Sequence, residues 1–338
     1  MIRGRGGGNG EGMRVRGLVL LLACAGACGG GGGDRAPVFT PVSTTTDGTT
    51  FTMTLGDLKM VIDGAHGARI TEFSLFGKNA LVTMDENINY GATFWPSPQS
   101  TWCAAGVDCW PPPTAIDSGL YNGQIDPTSM SITFASDVVQ TLPTPAGAGL
   151  SVLKIFTPNP SSGAIEITYL LANSSTQGNT LTFSPWQVSR VEPKGLTFFA
   201  PGGGPLTYAP NSASTFMVNE AAGALWYTSA VVSHDSKALA DGTGWIGHVT
   251  PDRQLYLIST YSDVAADRFA PGEAEVELFT NSSYVEVEMQ GAYIQLLAGG
   301  SDVINWTVRW KLRPLPAGMQ VAEGNAELVS LATQMLSE

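Results

Sequence analysis

In Ser283-Tyr284-Val285-Glu286-Val287-Glu288-Met289-Gln290, an extended chain sends Val285, Val287 and Met289 to one side and Tyr284, Glu286, Glu288 and Gln290 to the other. A row of carboxylates and an amide on one sheet face accepts hydrogen bonds from hydroxyl groups, and one such carboxylate can serve as a general base. The competing reading is a solvated sheet face, common in antiparallel sheets. Ser184 to Arg190 has the same period, so Trp186, Val188 and Arg190 project together. That is either an aromatic wall beside a rigid fork of donors, or a core strand whose arginine pairs with a buried glutamate. His248, in Gly244-Trp245-Ile246-Gly247-His248, is the candidate acid, because the glycines beside it permit close approach of a ligand. His66 in a Gly-rich turn and His234 in a polar one read as surface histidines.

Aromatic surface for such a site comes from Asn89 to Pro113, NYGATFWPSPQSTWCAAGVDCWPPP. Pro96, Pro98 and Pro111 to Pro113 argue against a central strand or a helix interior, so the segment reads as a long ordered loop of the kind that carries binding residues. Trp95, Trp102 and Trp110 offer the flat apolar faces that stack on the C–H faces of a sugar ring. A plug of aromatics over one end of the core is the alternative. Cys103 and Cys109 are separated by a short loop and are expected to form a disulfide that stiffens this segment. No histidine stands at zinc-motif spacing from them, and neither a metal nor a cofactor is expected.

The N-terminus places the protein in an oxidising compartment. Arg14 and Arg16 precede an apolar run from Gly17, and small residues then lead to Cys24 and Cys28. This is the grammar of an export signal, and a cysteine followed by Gly29 to Gly33 fits a lipid-anchored protein on a flexible tether. Cys28 is preferred as the lipidated residue because it allows a longer apolar segment, with Cys24 as the alternative. Secretion without an anchor is the competing reading. The run is too short to span a bilayer, so membrane contact is expected only through the lipid.

The chain carries a formal net charge of −12. Without residues 1–28 it has 13 basic and 28 acidic side chains, a net of −15, which makes nucleic acid a poor partner. Residues 1–28 are assigned to the signal, 29–47 to the tether, 48–318 to one domain and 319–338 to a C-terminal helical tail. Within the domain, period-two alternation marks strands at 50–54, 58–62, 68–75, 129–135, 150–156, 164–171, 181–191, 196–199, 255–260, 274–279, 283–290, 294–297 and 304–312. Only 326–336 has a helical pattern. Many strands without alternating helices indicate an all-β fold of antiparallel sheets packed face to face, and a monomer is expected. Gly242-Thr-Gly244-Trp-Ile-Gly247 fits a dinucleotide-binding pattern, yet no helix follows it.

Several segments, in order, resemble the galactose mutarotase-like superfamily, and more narrowly the exported bacterial DUF4380 family. They are Gly67-Ala68-Arg69-Ile70-Thr71, Asn89-Tyr90-Gly91, Phe94-Trp95-Pro96-Ser97-Pro98, Pro185 to Arg190, Gly272 to Glu277, Tyr284 to Glu288 and Trp306-Thr307-Val308-Arg309-Trp310. The resemblance implies a large antiparallel β-supersandwich whose open groove binds carbohydrate. It adds Arg69 and Asn89 to a substrate-binding set of Trp95, Trp102, Trp110, Trp186, Arg190, Glu286 and Gln290. In the aldose 1-epimerases of this superfamily a histidine acid and a late glutamate base open and reclose the sugar ring. Glu288 takes the base position here and His248 the acid position, although no histidine stands in an epimerase-like motif. Three classes therefore stay open: a carbohydrate-binding lipoprotein without activity, an aldose epimerase, and a structural envelope lipoprotein.

Overall fold

In the computed structural model, residues 35–83, 89–103, 109–138, 149–175, 178–212, 218–228, 234–300 and 302–338 are described. Cys24 and Cys28 lie outside them. The alternating segments become two antiparallel sheets, one of twelve strands and one of ten among the described residues. The fold is an all-β sandwich. Val285, Val287 and Met289 point into the space between the sheets, as their period requires, and join a core that includes Phe73, Phe94, Tyr169, Tyr256 and Trp310. Several polar groups inside that core pair across it. Tyr169 donates to Gln187 Oε1 at 3.0 Å, Gln187 donates to Ser189 Oγ at 3.0 Å, and Ser189 and Tyr256 share a hydrogen bond of 3.0 Å. Tyr169 and Tyr256 belong to the ten-stranded sheet, whereas Gln187 and Ser189 belong to the twelve-stranded one, so this chain ties the layers together.

The Ala326–Ser337 helix lies on the outer face of the ten-stranded sheet. Asn325 caps it by accepting from Glu327 N at 2.9 Å. Leu328, Ala332 and Met335 recur at helical spacing and are buried with Phe198, Trp226, Trp245, Leu255 and Leu257. Burial of a large aliphatic side chain of this kind stabilises by about 1.5 to 3 kcal/mol.

Two expectations are corrected. The stretch read wholly as loop contains the Ala92–Ser97 strand, buried along its length and paired with Leu181–Val191 inside the twelve-stranded sheet. Pro96 is tolerated there because it stands opposite Pro185, so both missing donors fall on one rung. On the strand's other side pairing reaches only Ala92, opposite Ile70, leaving Pro96 no further partner to fail. The assigned tether is also too long, because Val42–Thr46 pairs antiparallel with Thr50–Leu55 as the sheet's edge strand. Trp245–Val249, part of the dinucleotide-like pattern, is a strand of the ten-stranded sheet.

Candidate functional site

The outward face of the twelve-stranded sheet collects most of the residues with chemistry. Residues directly opposite on neighbouring strands project to the same side. Trp186, Val188 and Arg190 stand opposite Gln290, Glu288 and Glu286, which joins the two rows legible in the sequence. Trp95 stands opposite Trp186, and Thr93 opposite Val188. On the far side Glu277 stands opposite Glu288, Phe279 opposite Glu286, and Lys237 opposite Phe279.

This face is charged yet buried, and ion pairs hold it. Arg69 Nη2 lies 2.9 and 2.8 Å from the two carboxylate oxygens of Asp117. Asp117 Oδ1 also accepts from Trp95 Nε1 at 2.8 Å and from Thr93 Oγ1 at 3.1 Å. Arg190 Nη2 lies 2.8 Å from Glu286 Oε1. Lys237 pairs with Glu277 and, at 3.4 Å, with Glu288 Oε2, which also accepts from Trp186 Nε1 at 2.8 Å. Glu277 Oε1 accepts from Gln290 Nε2 at 2.9 Å. Arg190 is therefore the arginine paired with a buried glutamate that one reading of its strand anticipated.

Burial of these carboxylates shifts their titration. Burial, against the pull of Lys237, raises Glu288 to about 7. Burial followed by repulsion from Glu277 also raises Glu273 to about 7, and burial raises Glu277. Burial alone would lower the Lys237 ammonium, but Glu277 and Glu288 outweigh it and hold the charge in place.

The tryptophans divide into two roles. Trp95 and Trp102 are buried, and Trp95 meets Trp102, Trp110 and Trp186 edge to face, with centroids 5.4, 5.7 and 5.1 Å away. Trp102 stacks on Trp186 at 6.0 Å and donates Nε1 to Pro96 O at 2.7 Å. Those contacts are the plug. Trp110 is different: 38% of it is exposed, and it sits beside the disulfide joining Cys103 and Cys109.

Beside Trp110 opens a pocket of about 480 Å³, within the size range of small-molecule sites. Asn89, Trp95, Trp110, Trp186 and Glu286 line it, and Asn89 Nδ2 donates to the hydroxyl of Tyr284, another wall residue, at 3.0 Å. Gln99, Ser212, Asp235, Ser236, Lys237 and Asn281 add to the polar part of the wall. Arg69, Trp102, Arg190, Glu288 and Gln290 are buried and are not among its lining residues.

His248 does not belong to this site. Its strand is in the ten-stranded sheet, the ring is fully buried, and Nδ1 shares a 2.9 Å hydrogen bond with Thr197 Oγ1. Burial lowers it to about 3, so the imidazole is neutral and cannot act as an acid in the pocket. Gly247, beside this histidine, marks packing instead of ligand access, since a Cβ there would lie 3.2 Å from Leu255 and Phe198, and from a separate segment Gly195 makes room for the ring, with a Cβ 2.1 Å from the imidazole Cε1. Asp117, Asp235, Lys237, Glu277 and Asn281 are among the site residues missed by sequence reasoning. Lys237 has a signal in retrospect, as the charged member of an alternating Ser236-Lys237-Ala238-Leu239-Ala240. Among the described residues no group of three or more His, Cys, Asp or Glu is placed to hold a metal ion.

No protein-family model matches the sequence, and no curated protein is significantly similar to it. Solved structures do resemble the chain. A galactose mutarotase-like protein from Lactobacillus casei is 11% identical, with 80% of this chain and 100% of that one covered and a TM-score of 0.51. A galactose mutarotase-like protein from Clostridium acetobutylicum is 8% identical, with 81% and 99% covered and a TM-score of 0.51. A protein of Escherichia coli K12, described provisionally as an aldose 1-epimerase, is 10% identical, with 81% and 99% covered and a TM-score of 0.52. Likeness at such low identity speaks for fold, and on that ground the chain has the galactose mutarotase-like β-sandwich fold.

Proposed function

We propose that this is an exported carbohydrate-binding protein that holds a sugar in the pocket beside Trp110. The observation that carries the proposal is one cavity joining an exposed indole and the Tyr284 ring to Asn89, Asn281, Asp235 and Glu286. Apolar ring faces with acceptors and amide donors between them suit the alternating C–H and O–H surface of a sugar. Export, with a lipid anchor at Cys28 or Cys24, is the cellular part of this proposal, and its support is the N-terminal sequence grammar alone. The narrower likeness to DUF4380 rests only on the segments quoted above.

Calorimetry or a glycan array on the wild type and Trp110→Ala tests the binding. Loss of the exposed ring lowers sugar affinity about tenfold, equivalent to about 1.4 kcal/mol, while the denaturation midpoint stays near the wild-type value. A wild type that binds no sugar overturns the proposal. The epimerase reading retains one supporting observation, a Glu288 raised to about 7 as a general base requires, but that carboxylate is fully buried and its proposed acid lies elsewhere.

A further inference from the structure

We infer that the pocket selects sugars carrying a free amine over those carrying a carboxylate or phosphate, an inference that rests on the carbohydrate reading above. The distribution of charge around the cavity carries it. Two cations belong to this part of the face, and both are already engaged: Arg190 is fully buried on Glu286, and Lys237 is held between Glu277 and Glu288. Lys237 also covers the ring of Trp186, with Nζ 4.6 Å from the centroid. Among the described lining residues an anionic ligand would therefore meet only one cation, Lys237, already paired. The same ligand would also face Asp235 and Glu286, both lining residues, in a chain whose formal net charge is −12.

A cationic ligand meets the opposite situation. Asp235 is exposed at the rim and forms no ion pair among the described residues, so its carboxylate is available to accept from an ammonium. Trp110 supplies an exposed indole in the same wall, where a cation is attracted to the ring face. A hexosamine with its amine free satisfies both features, with its hydroxyls left for Asn89 and Asn281.

The test compares D-glucosamine, D-glucose and D-glucuronate by calorimetry in weakly acidic, low-salt buffer, where the amine is protonated. D-Glucosamine is expected to bind about tenfold more tightly than D-glucose, and D-glucuronate most weakly. Asp235→Asn, with an unchanged denaturation midpoint as evidence of folding, should reduce the preference for the amine to about twofold or less, and high salt should shrink it in the wild type. Equal affinities, a reversed order, or a full preference persisting in Asp235→Asn overturns this inference while D-glucose binding leaves the carbohydrate reading standing. Failure of all three sugars to bind overturns both.

Discussion

The two outer faces of the sandwich are covered in contrasting ways. On the ten-stranded sheet, Phe198, Trp226, Leu255 and Leu257 meet Leu328, Ala332 and Met335 of an amphipathic helix, so apolar surface is closed with apolar surface. On the twelve-stranded sheet, the covering tryptophans sit over Arg190, Glu277, Glu286 and Glu288, a layer that would be better hydrated in water. Covering of the first kind stabilises directly, since it follows the hydrophobic effect. Covering of the second kind demands that every charge be paired, and buried pairs are weak contributors to stability. A chain that maintains such a layer under a pocket is spending structure on a site.

This contrast can be broken by substitution, and the largest effect belongs to the apolar side. Trp226, fully buried and stacked on Phe198 at 4.7 Å, should lose about 3 to 5 kcal/mol on replacement by alanine, measured by denaturant unfolding, with no selective change in ligand binding. Trp95→Ala should fall at the lower end of that range, about 3 kcal/mol, and should also remove an indole donor from Asp117. Sequence reasoning offered Trp95 as a stacking wall; its burial makes it chiefly a structural ring, and a stability unchanged by the substitution would restore the first view.

The charged face should then announce itself through pH. Glu273 and Glu288 are raised from 4.5 to about 7, so the folded state binds more protons than the unfolded chain between those values. Their contribution to stability is therefore fully present below 4.5 and is lost as pH rises through about 7. Thermal unfolding across that window should show a shallower fall for Glu288→Gln than for the wild type; identical slopes would contradict the assignment. Lys154, buried on the Leu150–Asn159 strand of the ten-stranded sheet and donating to Gly67 O, is lowered to about 7 by burial and acts in the next window, where its contribution grows as pH rises towards 10.5. Conversion of Lys154 to methionine should flatten that second slope, the smallest change of the series.

How much of this could be read in advance depended on whether the information was local. Glu286, Glu288 and Gln290 lie on one strand and Trp186 and Arg190 on another, so period two alone assigned their faces, and the register then set Arg190 opposite Glu286. Lys237 and Asp117 arrive from distant segments, and no pattern in one window links them to Trp186 or Arg69. Pro96 and Pro98 concealed the Ala92–Ser97 strand, because the rule against proline in central strands omits the case in which two prolines share a rung. His248 was misplaced for a similar reason: a glycine near an aromatic suggests an opening, whereas Gly247 packs against Leu255 and Phe198.

The helix over the ten-stranded sheet bears on solubility. Residues 319–338 look dispensable as a tail, yet a chain shortened before Ala326 would leave Phe198, Trp226, Leu255 and Leu257 without Leu328, Ala332 and Met335 above them. Contiguous apolar surface on a flat sheet recruits other copies of the chain, so the expected fate of that shortened protein is self-association into aggregates. The Ala326–Ser337 helix thus serves as a cover for apolar sheet surface that would otherwise be open.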